Sequence, residues 1–477
     1  MSFFHWFGYG VVALCLILGL TACEREASSP FSSSSAGNAY VEVTSLESEQ
    51  KSTESNQSEA SAQLLFHKAL KATRLVYASE KDNLSCNGAV VTNTAQVRQN
   101  QQLNLPCAAE AALSSGISEL QYDLREKEGA PLSLPPTSAF GMWLYVEDPQ
   151  ALQEVTLSLY MDENTAGADF QKTASGFHQG WNLIRFAGVR RTSENWTVPT
   201  WNQIEQLQLS FSCLKETTVQ IGSLWAENPD KATIILIEDG GFESFLEKAY
   251  PKLAARSIPV TWAIDVERMG TQQEDPLSAR ITEKEYEKLA KENGNAMNFH
   301  GYSGEVTASM TEEQLLEDNL QSLDYLLSKG WEKELMWRSA YCQNKAQNAQ
   351  VSQTLFMATA TPHAIYDMTV FPFINPFDVP RFALHDLYPA RMETCFQLLE
   401  ETHGFLLLYT HGISQDAKRD TTPDVLEDFL ARCDQGMQEG WLQCSTFSQT
   451  LEENGISPTS GGEWVTKFFQ QIEFSTP

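Results

Sequence analysis

The chain predicts two folded domains, an all-β sandwich followed by an α/β barrel, and three observations carry that prediction. Between about residues 63 and 229, short runs alternate apolar and polar side chains with period two. After residue 231 the pattern changes to buried apolar strands alternating with amphipathic helices. At the ends of several of those strands stand carboxylates and histidines. Period two over many short segments is the mark of strands with one buried face, and strand–helix alternation that of a parallel sheet covered by helices.

Ahead of both domains, residues 1–22 hold the apolar run Val11-Val-Ala-Leu-Cys-Leu-Ile-Leu-Gly-Leu20, too short to span a bilayer comfortably, and they predict a cleaved signal peptide. The first ten residues carry no Lys or Arg, a departure from the usual positive n-region. Leu20-Thr-Ala-Cys23 resembles the bacterial lipobox, which makes Cys23 the lipidated first residue of the mature protein and predicts a lipid anchor at the cell envelope, facing away from the cytoplasm. Residues 23–62 are rich in Ser, Glu, Ala, Gln and Asn, a composition that cannot bury a core and predicts a solvated tether.

The sandwich, residues 63–229, is predicted from Gly141–Val146, Val155–Tyr160, Trp181–Phe186, Leu207–Phe211 and Val219–Trp225. Trp143, Trp181, Trp201 and Trp225 have two readings. An indole face matches the apolar face of a pyranose, but the inward positions of a sandwich are filled by the same side chains.

In the barrel, residues 230–477, Ala232-Thr-Ile-Ile-Leu-Ile-Glu-Asp-Gly-Gly241 closes an apolar strand with two carboxylates and two glycines. The next helix is expected to turn Phe242, Phe245, Leu246, Ala249 and Leu253 inward. Val260 to Ile264 is the next strand. Thr282-Glu-Lys-Glu285 and Thr311-Glu-Glu-Gln314 are capping boxes that each open a helix, Gly294 and Gly330 stop those helices, and Thr422-Pro423 opens another. Polar residues that close parallel strands of a barrel meet at its C-terminal face, so Asp239, His300 and His411 are expected to converge.

A formal charge of −29 and a pI near 4.6 argue against nucleic acid as a partner. Of the seven cysteines after Cys23, none sits in a CxxC pair or with zinc-finger spacing, so no structural zinc site is expected. Cys86 with Cys107, and Cys433 with Cys444, are near enough to pair, and buried free thiols explain them equally well.

The strand-end segments Glu238-Asp-Gly-Gly241, Gly294-Asn-Ala-Met-Asn-Phe-His300, Arg338-Ser-Ala-Tyr341 and Leu406-Leu-Leu-Tyr-Thr-His411 follow one another in an order that resembles the NodB-type polysaccharide deacetylases, carbohydrate esterase family 4. The resemblance spans roughly residues 231 to 455. It implies an incomplete (β/α) barrel with a groove for a linear polymer, and a divalent metal, zinc or cobalt, that polarises an acetyl carbonyl and activates water. It also implies roles: Asp239 and His300 as metal ligands, Glu238 as general base, Arg338 as the residue orienting that base, His411 as general acid and Tyr341 as the following aromatic of the groove. Ala296 stands where the family has its first metal histidine, and Glu238 is one methylene longer than the usual aspartate. A catalytic zinc ordinarily takes three protein ligands.

Three functions stay open: metal-dependent removal of N- or O-acetyl groups from a polysaccharide or peptidoglycan-type glycan, with Asn298 or Glu305 as replacement ligand; metal-independent hydrolysis of sugar by Glu238, Asp239 and His411; and non-catalytic glycan binding by a pseudoenzyme. The sandwich in turn resembles, in a general way, the galactose-binding-like jelly rolls that accompany carbohydrate-active enzymes. His363, His385 and His403 match no motif.

Overall fold

The computed structural model describes residues 70–76, 84–94, 108–124, 130–161, 170–187, 203–271, 278–303, 309–331, 336–338, 351, 353–362, 368–416, 418, 420–456, 463–469 and 474–475. The predicted signal peptide, Cys23 and the tether lie outside them. All of the described residues fall within one compact unit, Asn38–Pro477. Among them no helix is long and apolar enough to cross a membrane.

Two antiparallel sheets form the sandwich. One orders Ser85–Asn87, Gly116–Asp123, Gln206–Cys213, Leu152–Tyr160 and Phe170–Ser175; the other is built around the long strand Thr217–Pro229, which pairs with Leu70–Val76, Ala108–Leu113 and Ala139–Val146. The five strands the alternation predicted are all present. Trp143, Trp181 and Trp225 are buried in the common core, so these three indoles fill the interior; Trp201 lies outside the described residues.

From Ala232 the chain builds a parallel sheet: β1 (Ala232–Asp239), β2 (Thr261–Asp265), β3 (Ala296–Gly301), β4 (Met336–Arg338), β5 (Ala358–Pro362), β6 (Val379–Ala383), β7 (Phe405–Thr410) and β8 (Leu442–Ser445). The order is β3-β2-β1-β7-β6-β5-β4, with β8 alongside the first half of β1. Among the described residues no hydrogen-bonded ladder joins the end strands β3 and β4, although they lie near one another, so the sheet curls without closing. Helices α1 (Glu243–Lys248), α2 (Tyr250–Ala254), α3 (Glu283–Leu289), α4 (Glu312–Ser328), α5 (Pro389–Thr402) and α6 (Pro423–Glu439) cover it. Ile234, Leu236, Trp262, Ile264 and Leu408 face those helices, while the alternate residues Ile235, Ile237, Ala263 and Leu407 face inward.

The capping boxes at Thr282 and Thr311 form as predicted, and Thr422 caps α6. Gly294 and Gly330 adopt the left-handed conformation that follows α3 and α4. The helix expected after β1 is instead two short ones, because Pro251 lacks an amide hydrogen and starts a new turn.

The carboxyl-terminal segment departs from its assignment to the barrel. Helix α7 (Phe447–Glu453) follows β8, but α8 (Glu463–Phe469) places Trp464, Phe468 and Phe469 in the core shared with the sandwich, and Phe474–Ser475 adds a parallel strand to Leu70–Val76. Burying three adjacent aromatics outweighs sequence position. Of the described cysteines, Cys86, Cys213, Cys395, Cys433 and Cys444 are free thiols; Cys107 and Cys342 lie outside the described residues.

Candidate functional site

The inner side chains at the C-terminal ends of β1, β2, β3, β6 and β7 form one cluster. Asp239 and Asp265 close β1 and β2 in the same way, an apolar strand ending on a buried carboxylate. His300, at the end of β3, bridges them: its Nδ1 lies 3.0 Å from Asp265 Oδ1 and its Nε2 3.7 Å from Asp239 Oδ2. Asp265 is thus a partner of the histidine that no motif named. The strand-end rule that drew attention to Asp239 applies to it as well.

The opposite charge comes from Arg381. It lies in register with Leu407, and Leu407 with Ile235, four residues before Asp239. Its long side chain climbs past the Tyr409 ring, 4.6 Å from the guanidinium carbon, and Nη1 donates to Asp239 Oδ2. Arg381 is 1% and Asp239 2% exposed, so this is a buried ion pair. Removing one partner of such a pair strands the other charge.

Glu238, the expected general base, points the other way, since adjacent residues of a strand face opposite sides. Oε2 accepts from the amide of Gly241 and Oε1 from that of Phe242, each at 2.8 Å, and the residue is wholly buried beneath the turn into α1. The two glycines make this possible, both lying at positive φ. Arg280 closes the turn from outside, donating to the Gly240 carbonyl at 2.8 Å and stacking 3.7 Å from the Phe242 ring. Burial pushes the Glu238 pKa up to about 8, against the pull of the Phe242 and Gly241 amides and the Arg280 charge; the Asp239 charge adds to the rise.

A raised carboxyl pKa has a signed consequence for stability. Between about pH 4.5 and 8 the folded state holds a proton that the unfolded chain has released, so stability falls as pH rises through that window and levels off above it. Relative to Glu238→Gln, which cannot titrate, the wild type is expected to lose about 1 kcal/mol per pH unit there. Urea denaturation of both proteins from pH 5 to 8 tests this. Parallel curves would mean that the amides hold Glu238 ionised throughout.

Ala296 is at the wrong end of its strand to be a vacated ligand position. It pairs with Thr261 at the start of β2 and is fully buried, four residues or about 13 Å from His300 in an extended strand. A histidine there would not reach Asp239. Asn298, one of the two candidate replacement ligands, is buried in register with Ala263, which is in register with Asp239. Glu305 and Tyr341 lie outside the described residues, as does the side chain of Arg338, whose backbone ends β4.

His411 follows β7, half-buried, with the rings of Phe242, Tyr409 and His385 at 5.8, 5.7 and 6.4 Å. His385, which matched no motif, enters the site because it follows β6 as His411 follows β7. His403 instead ends α5, with Nδ1 2.7 Å from the Pro229 carbonyl, a structural contact; His363 lies outside the described residues.

These residues do not suit a divalent metal as they stand. Among the described residues no group of three or more His, Cys, Asp or Glu could hold one, and the Asp239 oxygen nearest His300 already carries a guanidinium. Beside the end of β3 opens a cavity of about 500 Å³, lined by Glu267, Tyr302, Met310, Glu313, Glu317 and Asp318 among others.

No family model matches the chain, and no curated protein does. Among solved structures it is similar to the Xyl-CE4 domain of a multidomain xylanase from the hindgut metagenome of Trinervitermes trinervoides, at 12% identity and TM-score 0.32 over 48% of this chain and 95% of that one. It is also similar to a family 4 carbohydrate esterase from Streptomyces lividans, at 12% identity and TM-score 0.30 over 45% of this chain and 91% of that one. A family 11 carbohydrate-binding module from Clostridium thermocellum gives 11% identity and TM-score 0.24, over 33% of this chain and 96% of that one. At such scores these likenesses carry no inference about chemistry; strand order and register define the fold.

Proposed function

We propose that this protein is a glycan-binding protein of the cell envelope, held to the membrane through a lipid on Cys23, in which a deacetylase-like barrel holds a polysaccharide without hydrolysing it. One observation carries the absence of turnover: both oxygens of Glu238 are bonded to backbone amides beneath a turn, so the side chain in the general-base position has no path to a water. The order of the strand-end motifs supports a glycan as the ligand. So does the cavity beside β3, where the exposed carboxylates of Glu267, Glu313 and Glu317 face solvent as acceptors for sugar hydroxyls and the half-buried Tyr302 offers a ring.

Retention of the full-length protein on acetylated glycans, with acetate release measured in parallel, tests the reading. Binding without acetate release, indifferent to chelator, is expected. Tyr302→Ala is expected to weaken binding about tenfold, the equivalent of one lost ring contact. Acetate release above the rate of buffer alone would overturn the reading and return the barrel to the deacetylases.

A further inference from the structure

Asp239 and His300 lie as far apart as two ligands of one metal ion would, yet the cation beside Asp239 is a side chain. Zinc bonds to carboxylate oxygen and imidazole nitrogen are each about 2.0–2.2 Å long, so two ligands of one ion lie some 3–4 Å apart. Asp239 Oδ2 and His300 Nε2 are 3.7 Å apart. The outer support is also in place: Asp265 Oδ1 lies 3.0 Å from His300 Nδ1, and in the tautomer whose Nδ1 donates this bond the lone pair is on Nε2, the arrangement that a carboxylate imposes on metal-bound histidines.

What sits against Asp239 is Arg381 Nη1. Arginine stays protonated at any pH the fold survives, and its fork cannot leave without exposing a buried, unpaired charge. A lysine in its place would have an ammonium able to lose its proton when buried, but a guanidinium is a permanent tenant.

We propose that Arg381 is a built-in cation that closes this site to divalent metal, and that removing it opens a zinc site on Asp239 and His300. The proposal rests on the reading of the barrel as metal-free but not on the identity of the glycan. It can fail while glycan binding stands, and the reverse.

The test is calorimetric titration of the full-length protein with zinc alone. The wild type is expected to show no one-to-one binding tighter than about 100 μM, the weakness expected of a site whose carboxylate is already paired. Arg381→Ala is expected to bind one zinc at least about tenfold more tightly, and its melting temperature to rise with zinc, since an ion that binds only the folded state stabilises it. Both effects should vanish in Arg381→Ala/Asp239→Asn and in Arg381→Ala/His300→Ala.

Tight zinc binding by the wild type that His300→Ala abolishes would overturn the proposal at once. So would a folded Arg381→Ala protein that takes up no zinc. Should Arg381→Ala fail to fold, Arg381→Gln keeps an amide donor for Asp239 and is held to the same zinc criterion, and refolding of Arg381→Ala by zinc counts in favour of the proposal.

Discussion

Gly241→Ala is expected to destabilise the protein by about 3 kcal/mol, the sum of a left-handed backbone penalty of about 1 kcal/mol and an overpacking cost of about 2. Gly241 has φ of +76°, and a Cβ there would lie 1.9 Å from Tyr286 Oη. The tyrosine cannot withdraw, because it is 1% exposed and its ring is packed against Trp262 and Trp331 at 6.2 and 6.1 Å. Removing the hydroxyl leaves Cζ, 3.1 Å from the same point, as the nearest atom. In a Tyr286→Phe background the alanine should therefore cost only about 1 kcal/mol, the backbone term. A double-mutant cycle by denaturation measures the difference, and a coupling near zero would show that the turn relaxes as a whole. The Gly241 amide also holds Glu238, so a shifted turn should alter the pH dependence of stability as well.

Arg185→Ala should cost a further large amount, about 3–5 kcal/mol, for a different reason. Arg185 donates from Nε and Nη2 to the two oxygens of Glu227 at 2.9 and 2.6 Å, and from Nη1 to the carbonyl of Pro372, while its guanidinium lies 4.4 Å from the Phe469 ring. Arginine and glutamate are 2% and 0% exposed. One side chain thus ties two sandwich strands, a loop beside the barrel and the carboxyl-terminal helix together. Truncation leaves Glu227 buried without its partner. The double replacement Arg185→Met/Glu227→Gln removes both charges and should cost less than Arg185→Ala alone. If both proteins melt together, the loss comes from packing against Phe469 and not from the stranded carboxylate.

The elements themselves were legible in the sequence because their causes are local. Period two gave the sandwich strands; the capping residues Thr282, Thr311 and Thr422 and the glycines at 294 and 330 gave the helix limits, since a cap is satisfied within one turn. The strand-end rule brought Asp239, His300 and His411 to one face, and applied evenly it would have added Asp265 and His385. A lone arginine in the apolar stretch Val379-Pro-Arg-Phe-Ala383 was a visible anomaly, but nothing local says what it pairs with.

Tertiary structure alone decided the chemistry. Asp239 and Arg381 lie 142 residues apart and meet because β7 stands between β1 and β6, a consequence of how the sheet curls. Glu238 and Asp239 are neighbours in sequence, yet the pleat sends one carboxylate beneath the α1 turn and the other into the barrel, and extended geometry puts Ala296 far below His300. A motif records which residues are present and in what order. Which face each one takes, and which charge reaches it, depends on backbone direction and on burial that excludes every partner but the nearest.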